Sequence, residues 1–208
     1  QINGKDGIVR HNTIANNLGE AGIRTGATSL SLINNIIADN QANDRGSGLY
    51  ASGSSASLLH TTIARNPGGD GSGIYVTDDD FGGYSTIALT NTILVSQTVG
   101  VYAKDSSTAT LEATLWGSGA WANGTDWAGS GTVLTGAINL WGDPAFLDPD
   151  AGDYHITADS AALNAGVEAG VFVDLDGDVR PLGGYDIGAD EFVVVEYKIY
   201  LPLVVRNS

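Results

Sequence analysis

Asp174, Asp176 and Asp178 are the residues of this chain whose type and spacing point most directly to chemistry. Alternating carboxylates on one loop supply the first ligands of an oxygen cage for calcium, so these three are the candidate metal ligands and calcium the candidate cofactor. The usual cage needs a glycine next and a closing glutamate further on, but Val179 and Tyr185 stand at those places. Asp186 or Asp190 can close a different loop. The alternative is that backbone amides and Arg180 hold the carboxylates without an ion.

Other stretches carry weaker chemistry. Tyr50, Tyr75 and Tyr102 each follow a Gly-aliphatic pair, with Arg24 at the corresponding earlier place. Aromatic strips bind sugars, and ladders of like side chains also pack a fold, so the three tyrosines are both candidate glycan contacts and candidate packing residues. His60 beside Thr61 and Thr62 lacks an oriented carboxylate and reads as a turn-side hydrogen-bonding group rather than a nucleophile's base. The Asp78-Asp79-Asp80 run reads as a solvated acidic loop, with a cation site as the alternative. Trp116, Trp121, Trp127 and Trp141 hold every tryptophan in the chain; they read as a bulky plug for the end of the core, with a sugar platform as the alternative.

What positions these residues is a repeat. Asn12-Thr13-Ile14-Ala15 returns as Asn35-Ile36-Ile37-Ala38, Thr61-Thr62-Ile63-Ala64, Asn91-Thr92-Ile93 and Ala113-Thr114-Leu115, with steps of 23, 26, 30 and 22 residues between the central aliphatics. Gly22-Ile23, Gly48-Leu49, Gly73-Ile74 and Gly100-Val101 follow as a second column, and an apolar stretch precedes each anchor as a third. Glycine and proline in most ten-residue blocks leave no room for helical repeats. Three short strands and three turns per repeat predict an all-β, right-handed parallel β-helix of about five coils. Ile14, Ile37, Ile63, Ile93 and Leu115 are its expected interior ladder. Asn17, Asn40 and Asn66 are an expected amide ladder, which is expected to end where Ser96 and Ser118 take the slot.

Neither the column His11, Asn34, His60, Thr90, Glu112 nor the column Thr13, Ile36, Thr62, Thr92, Thr114 stacks two carboxylates on adjacent coils. Arg24, Arg45, Arg65 and Lys104 fall at unrelated offsets, so no basic residue is expected opposite an acidic one. The reading is therefore non-catalytic.

Composition narrows the partners. Nine basic residues against twenty-four acidic ones give a net charge of −15, which opposes binding to nucleic acid or anionic membrane. Without cysteine there are no disulfides or thiolate metal sites. No segment has the roughly twenty apolar residues of a membrane-spanning helix.

Residues 143–191 contain half of the carboxylates and one basic residue, Arg180. Within them, Asp143-Pro144-Ala145-Phe146, Gly152-Asp153-Tyr154-His155-Ile156-Thr157, Ser160-Ala161-Ala162-Leu163-Asn164-Ala165-Gly166, Asp174-Leu175-Asp176-Gly177-Asp178-Val179-Arg180-Pro181 and Tyr185-Asp186-Ile187-Gly188-Ala189-Asp190-Glu191-Phe192 stand in an order that resembles the choice-of-anchor Q proteins. Those are bacterial exported chains with pectate-lyase-like right-handed β-helix repeats and a C-terminal anchor or sorting signal. The resemblance implies the β-helix fold and an extracellular or cell-surface location, and no established reaction.

The expected organisation is a β-helix over 1–138, an acidic C-terminal cap over 139–192 and an apolar terminal strand over 193–208. Val195, Tyr197, Ile199, Leu201 and Leu203 share one face of that strand and are candidate assembly residues, for donation to a sheet edge or head-to-tail association into a fibre. The expected function is a non-catalytic structural protein of the cell exterior, with self-association or a cell-envelope partner. The alternative is a polysaccharide-binding or polysaccharide-cleaving protein.

Overall fold

The computed structural model describes residues 6–79 and 81–194, together with the backbone of 2–3. In chain order the strands are β1 (Ile2–Asn3), β2 (Gly7–Ala15), β3 (Leu18–Gly19), β4 (Ile23–Gly26), β5 (Ser29–Ala38), β6 (Gln41–Ala42), β7 (Leu49–Ser52), β8 (Ser55–Ala64), β9 (Ser72–Thr77), β10 (Thr86–Val95), β11 (Val99–Ala103), β12 (Thr108–Leu115), β13 (Thr125–Ala128), β14 (Thr132–Thr135), β15 (Asn139–Leu140), β16 (Phe146–Asp148) and β17 (Asp153–Ile156). One parallel sheet runs β1-β4-β7-β9-β11-β13, and a second runs β14-β12-β10-β8-β5-β2, with β15 also on β12. This is the parallel β-helix that the repeats predict.

Each long strand of the second sheet bends at one residue with positive φ: His11, Asn34, His60, Asn91 and Ala113. The residues on either side pair in register between coils, so the bends form one corner and divide the sheet into two faces. A second corner uses Asn16, Asp39, Arg65 and Ser96. Asn and Asp tolerate this left-handed conformation better than most side chains, which is why the turns are rich in them.

The corners are tied by side-chain ladders. The backbone N–H of Asn17 donates to Oδ1 of Asn40 at 3.1 Å, and that of Asn40 to Oδ1 of Asn66 at 3.0 Å. The ladder does not end there. The N–H of Asn66 donates to Oε1 of Gln97, and that of Gln97 to Oδ1 of Asn123, both at 3.0 Å. A shorter serine ladder, Ser54 to Ser85 to Ser107, occupies the remaining corner.

The longer ladder reflects the register of the fourth coil. Ile63 pairs with Leu94, not Ile93, and Ile93 pairs with Leu115, which carries Leu94 on to Trp116. The interior ladder is therefore Ile14, Ile37, Ile63, Leu94 and Trp116. All but Ile14 are fully buried, each stabilising by roughly 1.5–3 kcal/mol. Trp116 fills the far end of the core as a plug; Trp121 packs edge-on to Phe146, while Trp127 and Trp141 are exposed.

Ile36, Ile93 and Leu115 point the other way, off the outer face of the same strands. They are buried all the same, because the acidic block lies along that flank and covers them with Phe146, Tyr154, Ile156, Ala162, Ile187 and Ala189. Hydrogen bonds fasten it there. Asn34 Nδ2 donates to the carbonyl of Val173 and Asn91 Nδ2 to that of Val167, each at 2.7 Å, and the N–H of Gly188 donates to the carbonyl of Asn91 at 2.9 Å. The bend residues Asn34 and Asn91 thus aim their side-chain amides at the block's backbone.

The terminal strand is not seen in Phe192 to Val194, which have no strand pairing. Val195, Tyr197, Ile199, Leu201 and Leu203 lie outside the described residues.

Candidate functional site

The tyrosine column forms as the spacing suggests, because Tyr50, Tyr75 and Tyr102 occupy one register position of the first sheet. Their rings stack almost parallel, with centroids 5.7 and 5.0 Å apart and interplanar angles of 3° and 1°. The Arg24 guanidinium lies over the outer face of Tyr50 at 4.5 Å, and that of Arg45 is 5.4 Å from the Tyr75 centroid. The ring faces are thus largely taken by one another and by Arg24. A ligand on this strip would meet ring edges, hydroxyls and cations.

Beside the strip is an open groove of about 530 Å³ lined by Arg24, Arg45, Tyr50, Asp78, Asp79 and Lys104, among others. It gathers three of the chain's nine basic residues. Its acids are engaged elsewhere: Oδ1 of Asp79 accepts the N–H groups of Phe81 and Gly83 at 2.9 and 2.7 Å, and Asp78 accepts the Thr77 hydroxyl. Asp80 lies outside the described residues. The three cations are themselves paired at the surface, Arg24 with Glu20, Arg45 with Asp44 and Lys104 with Asp105, at 3.4–3.5 Å, so the groove offers a mixed-charge surface for contact.

One basic residue does stand opposite an acidic one, contrary to expectation. Arg65 follows Asp39 in the second corner column, and its Nε donates to Oδ1 of Asp39 at 3.0 Å. The Tyr154 hydroxyl donates to Oδ2 of Asp39 at 2.6 Å, and Arg65 also reaches Asp150 at 2.7 Å and the carbonyl of Pro149. Burial works against the charge on Arg65, but Asp150 and Asp39 hold its pKa above the ordinary value. This cluster clamps the block to the flank.

His60 is fully buried. Burial, reinforced by the Arg180 charge, lowers its pKa to about 3, so it is neutral, and Nε2 accepts a hydrogen bond from Asn91 Nδ2 at 2.9 Å. Thr61 donates to the Leu59 carbonyl and Thr62 accepts the N–H of Ala189. His60 and Thr62 are therefore part of the seam under the block, while Thr61 bonds within its own strand.

The three aspartates of the candidate calcium loop have separate tasks. Oδ1 of Asp174 accepts the N–H groups of Asp176, Gly177 and Asp178 at 2.8–2.9 Å, and Oδ2 accepts that of Glu191. Asp176 pairs with His155, and Asp178 is exposed. Backbone amides thus account for the conformation of the loop. Nearby, buried Arg180 donates to Glu191 and to the carbonyls of Asp186 and Gly188 at 3.0–3.1 Å. Burial lowers the pKa of Arg180 and raises those of Glu191 and Asp186.

Sequence spacing did not reveal His155. Its Nδ1 is 2.5 Å from Oδ1 of Asp153 and its Nε2 2.6 Å from Oδ2 of Asp176. Burial would lower its pKa, but those two carboxylates outweigh burial and hold it at about 9. Burial raises Asp190 to about 6. Residues 155, 176 and 190 are too far apart in the chain for any spacing rule to join them.

Three-faced coils, ladders at the corners and parallel register define the class, and comparison with known families agrees. Residues 1–116 match the family described as the right handed beta helix region, and the chain belongs to it. No curated protein and no solved structure matches the chain. No helix among the described residues is long and apolar enough to cross a membrane.

Proposed function

We propose that the chain is a non-catalytic structural module of the cell exterior, a stiff β-helix of choice-of-anchor type that spaces or displays what it is joined to. The supporting observation is how its polar side chains are used. The amides of Asn40, Asn66, Gln97 and Asn123, the hydroxyls of Ser85 and Ser107, and the ion pair of Asp39 and Arg65 all join one coil to the next. Such cross-coil ties resist bending and shear, since deforming the rod leaves buried polar groups unpaired.

Self-association is a finer form of the same reading. Strands β13, β14 and β15 have no further strand beyond them among the described residues, and Trp127, Leu134 and Trp141 are exposed in that region. An unpaired edge of this kind can take a strand from another copy.

A second reading, contact with polysaccharide, is favoured by the three cations gathered beside the tyrosine strip. Binding to neutral and acidic oligosaccharides, with release of unsaturated and reducing ends measured in parallel, tests both. Binding without cleavage that weakens on Arg24→Ala and Arg45→Ala supports a contact surface. Cleavage by the purified chain would overturn the non-catalytic reading.

A further inference from the structure

We propose that His155, Asp176 and Asp190 form a binding site for a divalent transition-metal ion of the zinc or manganese kind. Ligand atoms of the three side chains all lie within 4.8 Å of one another. One imidazole and two carboxylates is a donor set suited to such ions, whereas calcium prefers oxygen alone.

The surroundings of the three residues support the assignment independently. Asp190 is only 7% exposed. Its Oδ2 accepts the N–H of Ile156 at 2.8 Å, while its other carboxylate oxygen accepts no hydrogen bond from any described residue. Solvent reaches that oxygen, so it is free to accept a cation. His155 is oriented as metal-binding histidines usually are. Asp153 holds Nδ1, fixing the ring so that Nε2 faces Asp176. An open cavity of about 430 Å³, lined by His155, Asp176, His11 and Tyr154 among others, gives entry and room for water to fill the remaining coordination positions.

The ion would take the place of the proton between Nε2 and Asp176, with a small separation of the two. It would join β17 to the segment that carries Val173 and Leu175, whose carbonyls accept from Asn34 and His11 on the flank. The site would therefore fasten the acidic block to itself at the place where it grips the first two coils.

The test is zinc titration of the full chain by calorimetry, with nitrogen-15 NMR of the three imidazoles. One ion per chain should bind, shifting Nε2 of His155 and leaving His60 unchanged. Affinity should fall at least 30-fold in His155→Gln and in Asp190→Asn, and remain within about twofold in Asp159→Asn, which alters an exposed carboxylate of the same block. Absence of binding, or a zinc-bound chain whose His155 resonances do not move, would overturn the site even if the variants do not fold. Loss of binding in Asp178→Asn with His155→Gln unaffected would overturn it by placing the ion in the 174–178 loop.

Discussion

Asp39 and Arg65 stand on adjacent coils at one corner column, 26 residues apart, and Tyr154 from the acidic block donates to the same Asp39 carboxylate that Arg65 holds. A tie within the solenoid is thereby also the tie between the solenoid and its covering. Tyr154→Phe keeps the ring packed on Phe146 and removes only the hydroxyl. It should cost about 1.5–3 kcal/mol, the range for a hydrogen bond to a charged group. Urea unfolding measures this, and a shift in the midpoint with an unchanged slope is expected.

Gly188 lies against the flank with φ of +106°. A Cβ added there would stand 2.7 Å from Cδ1 of Ile93 and 2.9 Å from Oγ1 of Thr62. Gly188→Ala combines a clash with an unfavourable backbone conformation and should destabilise by about 1–3 kcal/mol. A parallel loss of the near-ultraviolet signal from Tyr154 and Tyr185 would show that the block has been lifted.

The extended amide ladder makes a graded prediction. Asn66 accepts from both the N–H and Nδ2 of Asn40, and its own Nδ2 donates to Ile37 and Ala64. Asn66→Ala leaves several buried groups unpaired and should cost about 3 kcal/mol. Asn17→Ala, at the partly exposed start of the ladder, should cost less than half as much. Equal effects measured by thermal unfolding would contradict an inter-coil ladder.

The three-column repeat made the β-helix legible, because Ile37 and Ile63 recur with the glycine-aliphatic pairs at fixed distances. The register of coil four was not legible. Thr92-Ile93-Leu94-Val95 is apolar on both alternating faces, so Ile93 and Leu94 compete for the anchor position, and the wrong choice also hid Gln97 from the ladder. The same doubling was the available sign of the covered flank. Ile36-Ile37-Ala38 and Ile93-Leu94-Val95 read as strands buried on both faces, whereas a lone solenoid would expose one. The partners of that flank, such as Phe146 and Ile187, are scattered through a glycine- and aspartate-rich block and show no period. Arg65 escaped notice because it ties to Asp39 at a turn and not along a strand.

His60 makes the stability depend on pH. Its pKa is about 3 in the folded chain and 6.5 when unfolded, so between these values the unfolded state binds more protons. Stability from this group is fully present above pH 6.5 and falls as the pH drops through that window, by up to about 1.4 kcal/mol per unit. The groups facing His60 are Asn91, the Tyr185 ring, the Arg180 charge and the backbone of Asp186 and Gly188. His60→Asn places in this column the residue already found at Asn34 and Asn91, and it should flatten the pH dependence between 4 and 6. An unchanged slope would mean that His60 is not held neutral.

If the β-helix and its covering block form one stiff unit, they must open together, and native-state hydrogen exchange reads this directly. The amides of Ile187, Gly188 and Ala189, bonded to Ala162, Asn91 and Thr62, should exchange with the same free energy of opening as Leu94 and Ile63 inside the coils. If the block's amides exchange several kcal/mol more easily while the coils stay protected, the block is a separate domain resting on the rod, and the account of a single stiff module is wrong.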